Sequence, residues 1–176
     1  SSSLSCRFGA KVVYATYHNA STIQCVVPEG RAGLILNVEV SNNGIDFVMN
    51  EMVHITYVQR PVLTAILPSH AARGMLTLLT ISGSNFISEQ TFCNIGSAYT
   101  LATVMSGTHI LCALDDRNTS SESSKFVVKV STNNGIDYNR EIMTVTMIDR
   151  PEIISVYPKR ASLAYKSMVL SIKGSG

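Results

Sequence analysis

The chain has 176 residues, enough for one large domain or two small ones, and 45% of them are hydrophobic. Lys and Arg number 14 against 12 Asp and Glu, a formal charge of +2, and only 15% of residues are charged, so no basic footprint for nucleic acid is present. Apolar runs such as Leu34–Leu36 fall far short of the roughly 20 residues that span a bilayer, so no membrane insertion is expected within this segment.

Cys6-Arg7-Phe8-Gly9 and Thr22-Ile23-Gln24-Cys25 mark the first elements. Leu34, Leu36, Val38 and Val40 then lie on one face of a period-two pattern with Asn37 and Glu39 on the other, as a half-buried strand requires. Asn43-Gly44 predicts a tight hairpin turn, because these residues supply the positive φ such turns need. Asp46, just beyond, is expected to brace that turn by local hydrogen bonds. Tyr57-Val58-Gln59-Arg60-Pro61 leads, with no Gly/Ser spacer, to strands at Ile66-Leu67-Pro68 and Leu79-Thr80-Ile81-Ser82-Gly83-Ser84.

After these the opening elements return. Cys93-Asn94-Ile95-Gly96 repeats the first, and His109-Ile110-Leu111-Cys112 the second. Phe126, Val128 and Val130 repeat the alternation, and Asn134-Gly135 with Asp137 repeats the turn. Arg150-Pro151, Val156-Tyr157-Pro158 and Leu170-Ser171-Ile172-Lys173-Gly174-Ser175 then begin the middle set again. The internal repeat is therefore what sets the architecture. It is all-β, built from one complete and two partial modules: residues 1–58 form the C-terminal part of a first module, 59–148 a complete one and 149–176 the leading strands of a third. Ile66, Leu79, Ile81, Phe92, Ile110, Val128 and Val130 are expected in the core of the complete module.

Four cysteines at equal spacing in two copies favour disulfides Cys6–Cys25 and Cys93–Cys112. Free buried thiols are the main alternative; a zinc site would want the short Cys-x-x-Cys spacing, which is absent. Such disulfides persist in an oxidising compartment, so an extracellular or cell-surface location follows. The serine-rich start, Ser1 to Cys6, has no signal-peptide pattern, which implies a signal already removed or a segment of a longer protein.

The ordered run from Arg60-Pro61 through Ser82-Gly83-Ser84-Asn85-Phe86, Cys93-Asn94-Ile95-Gly96 and Ile110-Leu111-Cys112 to Asn134-Gly135 resembles the IPT/TIG domain, an immunoglobulin-like fold shared by plexins, transcription factors and the Met receptor stalk. The resemblance covers essentially the whole chain. It implies tandem immunoglobulin-like β-sandwiches and modular use, and it leaves function open, since the family ranges from receptor stalks to DNA-binding dimers.

Asn19-Ala20-Ser21 and Asn118-Thr119-Ser120 fit the acceptor pattern for N-linked glycans. Asp115-Asp116 with Glu122 offers too few hard oxygen ligands for calcium and reads as a solvated loop. His18, His54, His70 and His109 are scattered, no nucleophile elbow or phosphate-binding glycine loop occurs, and neither an enzyme, a metal nor a cofactor is expected. Two functions remain: a structural or adhesive element of an extracellular surface protein or fibre, or a fragment of a receptor ectodomain binding a protein ligand. The partial modules at the two ends add up to one more sandwich, so the expected partners are further copies of the chain or adjacent modules packed head to tail, as in a fibre, joined either by a continuous chain or by strand exchange.

Overall fold

The computed structural model describes residues 3–88, 90–115, 117, 123–161 and 167–175, and every helix or strand among them is a β-strand. The chain divides into two compact units, Ser1–Gln59 and Arg60–Gly176.

In the first unit β1 (Ser5–Phe8), β2 (Lys11–Asn19), β3 (Thr22–Cys25), β4 (Ile35–Ser41) and β5 (Val48–Thr56) are joined in the order β3-β2-β1-β4-β5. β2 changes partner along its length: Lys11–Tyr14 pairs with β1, and the stretch from Ala15 to Asn19 pairs with β3. The Ala15 N–H donates to the Leu4 carbonyl at 2.9 Å where the switch occurs. Cys6 and Phe8 are buried, but the expected apolar face of β4 is only partly covered. Leu36 and Val38 are half-buried, while Leu34 and Val40 stand 40% and 38% exposed.

The second unit adds β6 (Val62–Leu67), β7 (His70–Ala72), β8 (Leu76–Ser84), β9 (Phe92–Ile95), β10 (Ala98–Leu101), β11 (Thr103–Ser106), β12 (His109–Asp115), β13 (Lys125–Ser131) and β14 (Met143–Ile148). They make two sheets, β11-β12-β8-β6 and β10-β9-β13-β14-β7, in which only β7 and β14 are parallel. Alternation along β8, β12, β13 and β14 drives one side of each strand into a shared core where Leu79, Ile81, Ile110, Val128, Val130 and Val145 are all 0% exposed. Chain passes from one sheet to the other at Ala102, whose N–H donates to the Thr91 carbonyl at 2.9 Å, repeating the Ala15–Leu4 contact. The strand broken there into β10 and β11 is thus the counterpart of the continuous β2.

Phe92 does not join the core. The alternation of β9 sends Cys93 and Ile95 inward, so Phe92 faces out, half-buried, with its ring stacked on Tyr99 at a centroid separation of 4.8 Å. The Asn-Gly turns are also longer than expected, since β4 and β5 are joined by loop 42–47, and β13 and β14 by loop 132–142. The reason lies in the side chains. In the first loop Asn43 Oδ1 accepts the N–H groups of Ile45 and Asp46 and the Ser41 hydroxyl, forming an Asx turn that a two-residue hairpin has no room for.

A last hairpin, β15 (Glu152–Tyr157) with β16 (Ser171–Ser175), pairs only with itself among the described residues. Its register copies that of β6 on β8. Val62↔Ser84, Leu63↔Gly83, Ala65↔Ser82, Ile66↔Ile81 and Leu67↔Thr80 correspond one for one to Glu152↔Ser175, Ile153↔Gly174, Ser155↔Lys173, Val156↔Ile172 and Tyr157↔Ser171, with the irregularity at the same step. A cis peptide precedes Pro68 and Pro158 alike.

The repeated glycine has a steric reason, because a Cβ at Gly83 would strike the Val62 carbonyl and one at Gly174 the Glu152 carbonyl. Backbone cannot yield as a flexible side chain does. Gly83→Ala should therefore destabilise the second unit by about 1–3 kcal/mol, read as a lower denaturation midpoint at unchanged slope; a midpoint equal to wild type would show that the strands separate at no cost.

Candidate interaction edges and modification sites

Each unit carries one disulfide at the same place. Cys93 on β9 and Cys112 on β12 belong to opposite sheets, and their bond ties the two layers through a core position where both are 0% exposed. Cys6 on β1 and Cys25 on β3 make the corresponding bond, and both pairs have a sequence separation of 19. Described cysteines include no free thiol. A loop of this size contributes on the order of 3 kcal/mol by restricting the unfolded chain.

The two Asn-Gly loops solve one problem with different residues. In the first, Asn43 donates to Asp46 at 2.7 Å and Gly44 alone takes positive φ, at 74°. In the second it is Asn133, two residues after Ser131 as Asn43 is two after Ser41, that accepts the Asp137 N–H and donates to its carboxylate at 3.0 Å. The second loop is one residue longer at this point, and Asn134 absorbs the extra residue by entering the left-handed region beside Gly135, at φ 58° and 80°. Asp46 and Asp137 are thus engaged as hydrogen-bond acceptors within their own loops.

Asn19 ends β2 at an exposed turn, and its Oδ1 accepts both the Ser21 N–H at 3.0 Å and the Ser21 hydroxyl at 2.9 Å. Ser106, in the corresponding place, bonds Thr108 in the same manner, so the turn itself does not require an asparagine. Asn118, with Asp116 and Glu122, lies outside the described residues.

Asp115 is paired with Arg117 by two side-chain hydrogen bonds of 2.8 and 2.6 Å, which hold its carboxyl down at about 2. That partner occupies the oxygens a cation would need. No group of three or more His, Cys, Asp or Glu able to hold a metal ion occurs among the described residues, and His18, His54, His70 and His109 are each exposed and apart.

What remains is geometry at strand edges. In the second unit β12 is paired on both sides, with β11 and with β8, and every inward residue of β12 is buried. In the first unit β3 is the terminal strand of its sheet, paired with β2 alone. Ile23 is half-buried where Ile110 is buried, and Val27 is 42% exposed where Leu114 is 1% exposed. The hairpin mirrors this. Ile153, Leu170 and Ile172 are 71%, 46% and 59% exposed, against 4%, 0% and 0% for Leu63, Leu79 and Ile81. One polar contact also fixes the leading hairpin of the second unit: the Leu63 N–H donates to Glu141 Oε2 at 3.3 Å, and this carboxyl lies below the usual range through bonds from its own backbone N–H and then from Leu63. Sequence reasoning passed over Glu141, although the repeat of Glu51 to Arg60 in Glu141 to Arg150 was the signal that could have found it.

Comparison with known proteins agrees with this architecture. The family model described as the IPT/TIG domain matches residues 1–57 and 61–141. Among solved structures, the full extracellular region of plexin A4 is 14% identical with a TM-score of 0.55, over 88% of this chain and 13% of that one. The protein SGBP-B of a Bacteroides ovatus mixed-linkage glucan utilization locus, in complex with a mixed-linkage heptasaccharide, is 13% identical with a TM-score of 0.40, over 86% of this chain and 40% of that one. The chain spans a small part of both. No curated protein sequence matches it.

The Asp115–Arg117 pair gives a titration to measure. A depressed folded pKa adds stability that is present above the ordinary carboxylate value of about 3.9 and is lost as pH falls through about 2. NMR titration should place the Asp115 midpoint near 2, and Arg117→Ala should return it towards the ordinary value; a midpoint unchanged by the substitution would contradict the pairing.

Proposed function

Because the chain belongs to the IPT/TIG domain family, we propose that it is a non-catalytic structural or adhesive element of an extracellular or cell-surface protein, in which modules follow one another head to tail. The observation that carries this reading is the disulfide repeated at the same place in both units, a cross-link that persists where the environment is oxidising. Junction length supports it as well. β5 ends at Thr56 and β6 begins at Val62, so the connection is too short to act as a flexible tether.

Glycan display belongs to the same reading. The Ser21 hydroxyl is bonded to the Asn19 carbonyl at an exposed turn, which leaves the acceptor amide in an accessible place for a bulky sugar. Asn118 carries the second acceptor sequence. Sugars on both would add solubility to a chain of which 15% is charged.

The alternative, a receptor ectodomain fragment that binds a protein ligand, draws on one feature of the second unit. Leu76 and Leu78, on the outward side of β8, are 52% and 60% exposed.

Intact mass and peptide mapping of the secreted protein, reduced and unreduced, before and after deglycosylation, test the proposal. The expected result is two disulfides with the pairing above and glycan on Asn19 and Asn118. Four free thiols with both asparagines unmodified would overturn the extracellular assignment.

A further inference from the structure

The two Asn-Gly loops contain the same run, Asn-Asn-Gly-Ile-Asp, at 42–46 and at 133–137, yet the fold holds the asparagine before glycine differently in each. In the first loop that residue is Asn43. Its Oδ1 accepts the Ser41 hydroxyl at 2.9 Å and the N–H groups of Ile45 and Asp46 at 3.0 and 2.9 Å, and its Nδ2 donates to the Asp46 carboxylate at 2.7 Å. In the second loop Asn133 takes over these bonds, to Ser131 and Asp137. Asn134, the residue before Gly135, is left exposed in the left-handed region, and its side chain makes no hydrogen bond among the described residues.

This difference has a chemical consequence. Glycine puts no Cβ beside its own nitrogen and leaves the chain free to turn, so in an Asn-Gly pair that nitrogen can reach the asparagine side-chain carbon. We propose that Asn134 is a site of spontaneous deamidation in the folded protein, with water as the co-reactant, and that the bonds on Asn43 protect it. The Gly135 nitrogen attacks Cγ of Asn134 and closes a succinimide ring; the Cγ–Nδ2 bond breaks, and Nδ2 leaves as ammonia with the proton that the Gly135 nitrogen gives up. Water then adds to one of the two ring carbonyls. Opening on one side leaves aspartate, and on the other isoaspartate, whose main chain runs through the side-chain carbon. One water is consumed and one ammonia released, with no change of oxidation state.

The attacking nitrogens do not distinguish the loops, since the Gly44 N–H donates to Ser41 Oγ and the Gly135 N–H to Ser131 Oγ, both at 2.9 Å. The carboxamides do. To meet its glycine nitrogen face-on, the Asn43 amide must turn out of bonds at both of its ends, whereas the Asn134 amide turns without breaking any. The product alters the second unit alone. It puts a new carboxylate into the loop that already holds Asp137, and isoaspartate lengthens the main chain between the Asn134 N–H, which donates to the Gln90 carbonyl at 3.4 Å, and Gly135, which packs so close to Tyr99 that a Cβ there would meet its hydroxyl. The reading is independent of the compartment and of what the modules bind.

The shared sequence supplies its own control. The disulfide-intact protein is held at mildly alkaline pH, where loss of the glycine N–H proton is favoured, and both loops are followed by peptide mapping with fragment-ion sequencing. In the folded chain Asn134 should convert to aspartate and isoaspartate about tenfold faster than Asn43. In the reduced, denatured chain the two rates should converge, because the surrounding residues are the same. Asp46→Ala, which removes the acceptor from Asn43 Nδ2, should speed Asn43 severalfold and leave Asn134 unchanged. Equal rates in the folded protein would overturn the proposal, as would a faster Asn43, which would mean that the N–H groups on its Oδ1 stabilise the tetrahedral oxygen instead of locking the amide. So would an Asn134 that keeps its amide when folded, a difference that persists after denaturation, or an Asp46→Ala chain in which Asn43 reacts no faster.

Discussion

The pairing of β8 with β12, from Ser82 opposite His109 to Leu76 opposite Asp115, is the contact on which the closed sandwich depends. By itself β12 is tied to the opposite sheet through the disulfide, the crossing at Ala102 and the chain that runs on to β13. With β8 and β6 beside it, the sheet becomes wide enough to cover β9, β13 and β14, and Leu79, Ile81, Ile110, Val128 and Val145 lose all contact with water. The first unit repeats the disulfide, the crossing and the strand order but lacks an element of the β8 kind among its described residues, and its equivalent side chains stay partly in solvent. Covalent stapling holds strands together without hiding their faces. Burial needs the second layer.

Two kinds of constraint are repeated in the chain, and they tolerate change differently. Backbone approaches are copied closely: Gly83 and Gly174 each lie against a partner-strand carbonyl, and Ala15 and Ala102 make the same bond at the sheet crossing. Loop chemistry is copied by function instead of by position. The acceptor that organises the Asn-Gly loop is the second asparagine of its pair in one unit and the first in the other, because what the loop needs is a side-chain carbonyl two residues after a serine. An aligned motif therefore does not by itself say which asparagine does the bonding.

Much of this was legible in the sequence. Period-two patterns placed Ile66, Leu79, Ile81, Ile110, Val128 and Val130 inside, since a strand with one buried face leaves that record in its residue order. Phe92 was misplaced because an aromatic beside a core cysteine reads as core, whereas strict alternation turns it outward to stack on Tyr99. The length of the Asn-Gly loops was not legible, as Asn-Gly marks a turn whether its ladder starts at once or several residues later. Glu141 escaped for a different reason. Its role is to satisfy one N–H at an irregular step of β6, and such a step leaves no composition signal. The register shared by the two leading hairpins could be suspected from the repeat but needed paired strands to be seen.

If pairing with β8 is what closes the sandwich over β12, the backbones of β12 and β3 should report it directly. Hydrogen exchange followed by mass spectrometry, with both disulfides intact, resolves Thr22–Cys25 from His109–Asp115 within one chain. The account predicts strong protection of β12, which is paired on both sides, and weaker protection of β3, which is paired with β2 alone. Protection of β3 equal to that of β12 would contradict it.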